Sequence, residues 1–249
     1  MRFWKSRGMV ARGASTGPRI SLKLLALSAG VVAAAACIVL WSGVFIITDV
    51  RFYGTGAIPQ DALKRIRDGL IGRNLVTVSC VGARARLEAF PEVQTAVFKR
   101  RPMHTIECYI VKREPVALLV AGDILEVDAE GVVIPRRSGA GDVDLPVITG
   151  IDQREVGAQT GIRSIGRAVE VLKLFKELGF SPAKQLSEIH IAGDEVDLVW
   201  MGTGTLVRLG RDEYAMRVRK LRTVFGILSD REQFPKLIDL RFDRQVVVR

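Results

Sequence analysis

Histidine occurs twice in 249 residues, cysteine three times, and aromatic residues make up 6% of the chain. That scarcity narrows the chemistry. His104 opens a strand-like run and His190 lies within one, between Ile189 and Ile191; neither has other ligands at metal spacing, so both read as surface or edge-strand residues. There is no Cys-x-x-Cys, no His-Glu-x-x-His and no Gly-x-Ser-x-Gly, which removes common signatures of redox, zinc-hydrolase and serine-hydrolase sites. "MGTGTL" around Gly202 and Gly204 lacks the third glycine of a phosphate loop and leads into no helix, so a turn is expected there. Carboxylates are plentiful, but their spacing assigns no pair to catalysis. The expectation is a non-enzymatic protein with no cofactor, no metal and no small-molecule substrate.

Charge of one sign is also missing locally. No acidic residue precedes Asp49, whereas Arg2, Lys5, Arg7, Arg12, Arg19 and Lys23 all do. Setting those six aside leaves 31 basic residues against 27 acidic ones, so most of the net charge of +10 belongs to one flank. This is the pattern of a basic tail beside a membrane segment rather than of a nucleic-acid surface. "KRR" at Lys99–Arg101 is read as solvated loop charge.

The neighbouring segment, residues 24–47, runs for 24 residues without a charge, "LLALSAGVVAAAACIVLWSGVFII". As a helix it would reach about 36 Å, enough to cross a hydrocarbon core of about 30 Å with some tilt. A cleaved signal sequence is the rival reading, with Ala33–Ala36 and Cys37 as a lipoprotein-like site, but signal cores span about 7–15 residues and this run continues past Cys37. An uncleaved anchor is therefore expected. Residues 1–23 stay in the cytoplasm and everything after Ile47 lies outside it, where Cys80 and Cys108 are spaced so that a disulfide is permitted but not required. Cys108 alternates with Ile106 and Ile110 and reads as core.

Residues 48–119 predict a strand ("VRFYG"), two short helices and two strands. Pro59 precedes Leu63, Ile66 and Leu70 at helical spacing; Ser79 is the expected cap of a second helix carrying Ala83, Leu87 and Phe90, stopped by Pro91. "VQTAVFKRR" and "HTIECYIVKREPVALL" follow as strands. Residues 120–249 predict an α+β unit on an antiparallel sheet. Its signals are a turn at Asp128–Gly131, a hairpin at Gly193-Asp194, inward Val196, Leu198 and Trp200, and a helix on Ile165, Val169, Leu172 and Phe175. A last helix carries Tyr214, Val218, Leu221, Phe225 and Leu228, with Arg217, Lys220 and Arg222 off that stripe. "RRSGAGDVD", Arg136–Asp144, reads as a loop within this unit. The closing "KLIDLRFDRQVVVR" reads as one long strand with an open row of backbone donors and acceptors.

The order and spacing of "VRFYGTGAIP", "LEAFPEVQTAVFKRRP" and "IVKREPVALL" resemble the POTRA domain of the FtsQ/DivIB family of bacterial cell-division proteins. "LEVDAEGVVI", "LPVITG", "VRLGR" and "LIDLRFD" extend the resemblance, so that it covers roughly residues 20–249. It implies a bitopic inner-membrane protein of the divisome, with both units periplasmic at the septum. It also implies that such a protein links membrane-anchored coiled-coil partners of FtsB and FtsL type. Transferred to this sequence, the partner-binding positions are Arg211, Asp239, Arg241, Phe242 and Asp243. The two arginines would receive acidic side chains, Phe242 would be an apolar anchor, and Leu240 would be core. Strand addition along the last strand is the mechanism that suits an open edge. The resemblance also implies tyrosine at the position where this sequence has Phe242. The alternative, a POTRA-bearing component of protein translocation or outer-membrane assembly, would join a large barrel, for which the sequence after residue 120 is too short and too helix-containing.

Overall fold

The computed structural model describes residues 22–41, 45–56, 58–102, 104–136, 143–229, 234–242 and 244–249; the side chains of 22–24, 35–41, 182, 183 and 229 are outside that description. The chain opens with α1 (Leu22–Trp41), an apolar helix whose described side chains, 25–34, are all exposed. Among the described residues no helix is long and apolar enough to cross a membrane. The far end of the expected span differs from the sequence reading. Phe45 packs on the first folded unit and Ile47 is fully buried in it, so the chain joins that unit before Ile47.

β1 (Asp49–Tyr53), α2 (Gln60–Leu70), α3 (Val81–Glu88), β2 (Val93–Arg101) and β3 (Thr105–Lys112) make that unit. Its sheet runs β1-β3-β2, with β1 parallel and β2 antiparallel to β3. Alternation along β1 and β3 turns Val50, Ile106 and Cys108 toward Leu63, Ile66 and Leu87 of the helices, and all six are buried. Burial, with Cys80 nearby, pushes the Cys108 thiol up to about 12, which suits an inert core residue; both cysteines are free. Cys80, not the expected Ser79, occupies the cap position of α3, and no side chain bonds there. Gly54, at φ +82°, ends β1 against the Ile110 carbonyl, a place no Cβ fits.

The expected strand from His104 to Leu119 is two strands. β3 stops at Lys112, and β4 (Pro115–Ala121) begins a second sheet, so residues 115–119 pair with the second unit and the expected boundary at 119/120 falls inside β4. Pro115 is the physical reason: it lacks a ladder donor and restricts Glu114 before it.

After β4 come β5 (Asp123–Asp128), β6 (Val133–Pro135), β7 (Val147–Thr149), α4 (Gln159–Glu177), α5 (Pro182–Gln185), β8 (Leu186–Ala192), β9 (Glu195–Trp200) and β10 (Leu206–Gly210). α6 (Tyr214–Ser229), β11 (Leu237–Asp239) and β12 (Val247–Val248) complete the order. The nine strands lie β12-β11-β10-β9-β8-β7-β4-β5-β6. This sheet is mixed, not antiparallel as expected, because β4/β7, β7/β8 and β10/β11 are parallel. The last two parallel pairs are joined through α4 and α6, crossovers that place a helix over the sheet and return the chain in the same direction. α4 and α6 cover one face, burying Ile165, Val169, Leu172 and Phe175 from the first and Tyr214, Val218, Leu221 and Phe225 from the second. Trp200 stacks on Phe225 at 4.0 Å between centroids. Each such side chain contributes about 1.5–3 kcal/mol on burial.

Candidate partner-binding edge

The closing segment is a hairpin, not one long strand. β11 pairs parallel with β10 on one flank and antiparallel with β12 on the other, so both of its edges are occupied within the chain. β11 ends at Asp239 and β12 begins at Val247, with Leu240 buried in the core directly after β11. The open edge belongs to β12, the last strand in the order. Arg249 exchanges backbone bonds with Leu237, N to O at 2.9 and 3.0 Å. In an antiparallel pair the neighbouring residue points the other way, so Val248 directs its N–H and C=O away from β11.

Alternation gives the sheet a second, polar face. Ile189, Leu198, Val207 and Ile238 face the helices, whereas His190, Asp197, Arg208 and Asp239 stand in register across β8, β9, β10 and β11 on the opposite side. Thr149 adds a hydroxyl 2.8 Å from His190 Nδ1. Asp197 Oδ1 has no hydrogen-bond partner among the described residues, and burial pushes this carboxyl above its usual range against the pull of Arg208.

Asp239 ends this row buried, accepting Arg241 Nη2 at 2.8 Å, Arg241 Nε at 3.0 Å and the Arg241 backbone N–H at 3.1 Å. The bonds from Arg241 hold its carboxyl below the usual range, and Arg241 is in turn raised by Asp239. Arg241 Nη1 also lies 3.4 Å from Glu195. The arginine expected to wait for a partner's acid is thus already paired, and its first role is to brace the turn out of β11. Phe242 next to it is 44% exposed, with its carbonyl 3.3 Å from Lys220 Nζ. Leu240 is fully buried, as its alternation predicts. Arg211 is exposed between β10 and α6 and makes no hydrogen bond or ion pair among the described residues. Asp243 lies outside the described residues.

Two arginines missed from sequence are structural. Arg217, expected off the α6 stripe, is only 6% exposed; it donates to the Leu209 carbonyl and, at 2.5 Å, to Asp212. The irregularity of β10 between Arg208 and Gly210 explains the contact, since it breaks the ladder to β9 at Leu209 and leaves that carbonyl for a side-chain donor. Arg113 donates to Asp128 at 2.5 Å, while Asp128 also accepts the N–H groups of Val132 at 2.8 Å and Glu130 at 2.9 Å. Arg113 N bonds to Glu92 O in the first unit at 3.0 Å, so this residue ties the β3–β4 junction to the β5–β6 turn. No group of three His, Cys, Asp or Glu that could hold a metal occurs among the described residues.

A family model described as "Cell division protein FtsQ/DivIB, C-terminal" matches residues 117–241. The chain is similar to Cell division protein FtsQ of Myxococcus fulvus, 28% identical over 247 residues, which cover 92% of this chain and 84% of that protein. It resembles the protein of the same name from Rhodothermus marinus, at 29% over 243 residues (92% and 86%), and that from Anaeromyxobacter sp. (strain K), at 28% over 186 residues (74% and 63%). Residues 117–241, which run from β4 through β11, accordingly match the C-terminal domain of a class of cell division proteins. The chain belongs to the FtsQ/DivIB family.

Proposed function

We propose that this cell division protein is a non-enzymatic, single-pass protein of the inner membrane, with a cytoplasmic N-terminus and both folded units in the periplasm at the septum. It links membrane-anchored division proteins of FtsB and FtsL type by accepting a partner strand on the outer edge of β12. The anchor reading is supported by the uncharged run of residues 24–47 and by the six basic residues before it. The first unit, with three strands and two helices, is the POTRA domain of this reading.

The observation that carries the proposal is the position of β12 at the end of the sheet order, where its second edge has no strand beside it among the described residues. Strand addition there draws affinity from main-chain bonds and selectivity from alternate side chains. Exposed Phe242 and Val248 provide apolar contacts at the same end of the sheet. Arg211 offers an uncommitted charge, while Arg241, held by Asp239, meets a partner carboxylate in competition with Glu195. Asp243 follows Phe242 directly and belongs to the same proposed surface.

The test uses Val248→Pro, which deletes an outward N–H without removing either backbone bond between Leu237 and Arg249. Capture of the FtsB and FtsL-type partners by the full chain should fall at least tenfold, with unchanged thermal unfolding. Undiminished capture by a folded variant would refute strand addition at β12.

A further inference from the structure

The segment leaving α1 is not a loose tether. Ile47 N bonds to Arg73 O and Gly72 N to Ile47 O, both at 2.9 Å; Thr48 N reaches His104 O at 3.0 Å, and His104 Nδ1 lies 2.8 Å from Ile46 O. The loop 71–80 and the end of the β2–β3 hairpin at His104 are thereby fastened around the point where the chain enters the first unit. Arg100, near the end of β2, donates to Val78 O at 2.8 Å and ties the hairpin to the loop.

The surface of this end is unusual in two independent ways. Ile46, Ile71 and Val76 are 40–47% exposed, although the unit has a well-filled core a few residues away. Residues 45–48, 71–80 and 99–104 contain four basic side chains and no acidic one. Arg73 is exposed without a partner among the described residues, Lys99 lies over the Tyr109 ring at 5.0 Å, and Arg101 pairs at the surface with Glu107. Exposed aliphatic side chains beside basic ones are what an interfacial segment presents to acyl chains and anionic headgroups.

We propose that this end of the first unit is a membrane-seating collar. Ile46, Ile71 and Val76 enter the boundary between headgroups and acyl chains, and the basic side chains of the loop and the hairpin end bind anionic phospholipid. The occupant is assigned by continuity, because Ile46 lies within the uncharged run of residues 24–47, the proposed anchor, and the collar surrounds the point where that run enters the first unit. The proposal therefore rests on the anchor reading. Its consequence is that the first unit is held in one orientation on the membrane instead of swinging on a linker.

Photocrosslinking of the full chain in vesicles of phosphatidylethanolamine and phosphatidylglycerol tests it, with a photoreactive phenylalanine analogue placed in turn at Val76, at Val31 and at Ile124. Lipid adducts are expected at Val76 and Val31 and not at Ile124, which is exposed on β5. Changing Arg73→Gln and Lys99→Gln, or using phosphatidylcholine alone, should lower the Val76 adduct about fivefold for each charge removed and leave the Val31 adduct unchanged. An adduct at Val31 with none at Val76, or a Val76 adduct to protein instead of lipid, would overturn the collar while sparing the anchor. No adduct at Val31 would overturn the anchor and the collar together. Equal yields at Val76 with neutral and anionic lipid would overturn the role of the basic side chains.

Discussion

Replacing Asp128 by alanine removes one acceptor from three donors. The Asp128 side chain is 2% exposed and that of Arg113 16%, so the guanidinium would be left largely out of water with its Nε already unpaired among the described residues. Breaking a buried pair from one side costs about 3–5 kcal/mol. Glu130, 3.4 Å from Arg113, supplies partial compensation and favours the lower end, about 3 kcal/mol. For a domain of this size, about 2–4 °C is lost per kcal/mol, which gives a fall in Tm of about 9 °C. Thermal unfolding of the full chain, followed by circular dichroism, reads this directly. The pH dependence has a defined sign. Burial raises the Asp128 carboxyl, but the Val132 N–H and Arg113 outweigh it and hold the carboxyl below its usual range. A depressed carboxyl stabilises fully above its unfolded value, near about 3.9, and loses that contribution as pH falls through the folded value. The gap between wild type and Asp128→Ala should therefore close in acid below about pH 4. In the double variant with Arg113→Met, the loss should be smaller than the sum of the two single losses by more than about 1 kcal/mol. A Tm difference below about 3 °C at pH 7, or a difference that persists undiminished at pH 2.5, would refute the reasoning.

Arg217→Met keeps the bulk of the α6 side chain but leaves the Leu209 carbonyl without its donor; a loss of about 1–3 kcal/mol should appear as a lower urea midpoint at unchanged slope. Gly150→Ala should destabilise by at least about 1–3 kcal/mol, because φ there is +83° and the new Cβ would meet the Ile191 carbonyl; a Tm within 1 °C of wild type would contradict this.

Local pattern made much of this legible. The stripes of α4 and α6 are buried residue for residue from Ile165 to Phe175 and from Tyr214 to Phe225, and Gly193-Asp194 turns β8 into β9. "LPVITG" ends on Gly150 because β7 must turn there in the left-handed region against β8. The misses share a cause: partners distant in sequence. Periodicity cannot distinguish β10/β11 as parallel, nor show that β12 pairs back on β11, since no glycine, proline or asparagine stands between them. Arg217 looked solvated because the carbonyl that needs it is exposed only by an irregularity in another strand. Of the candidate residues, Phe242 and Arg211 are exposed, whereas the internal pairing of Arg241 follows from a fold in which β11 meets β9 through β10.

The parallel pairing of β10 with β11 has a bearing on assembly. Among the described residues β12 pairs with β11 alone, and β11 follows α6 in the chain, whose crossover brings it beside β10. A chain in which α6 has not packed has no β11–β12 ribbon at this end of the sheet, so the strand addition proposed at β12 would depend on a helix that lies in the sequence between β10 and β11 and is no part of the edge it serves.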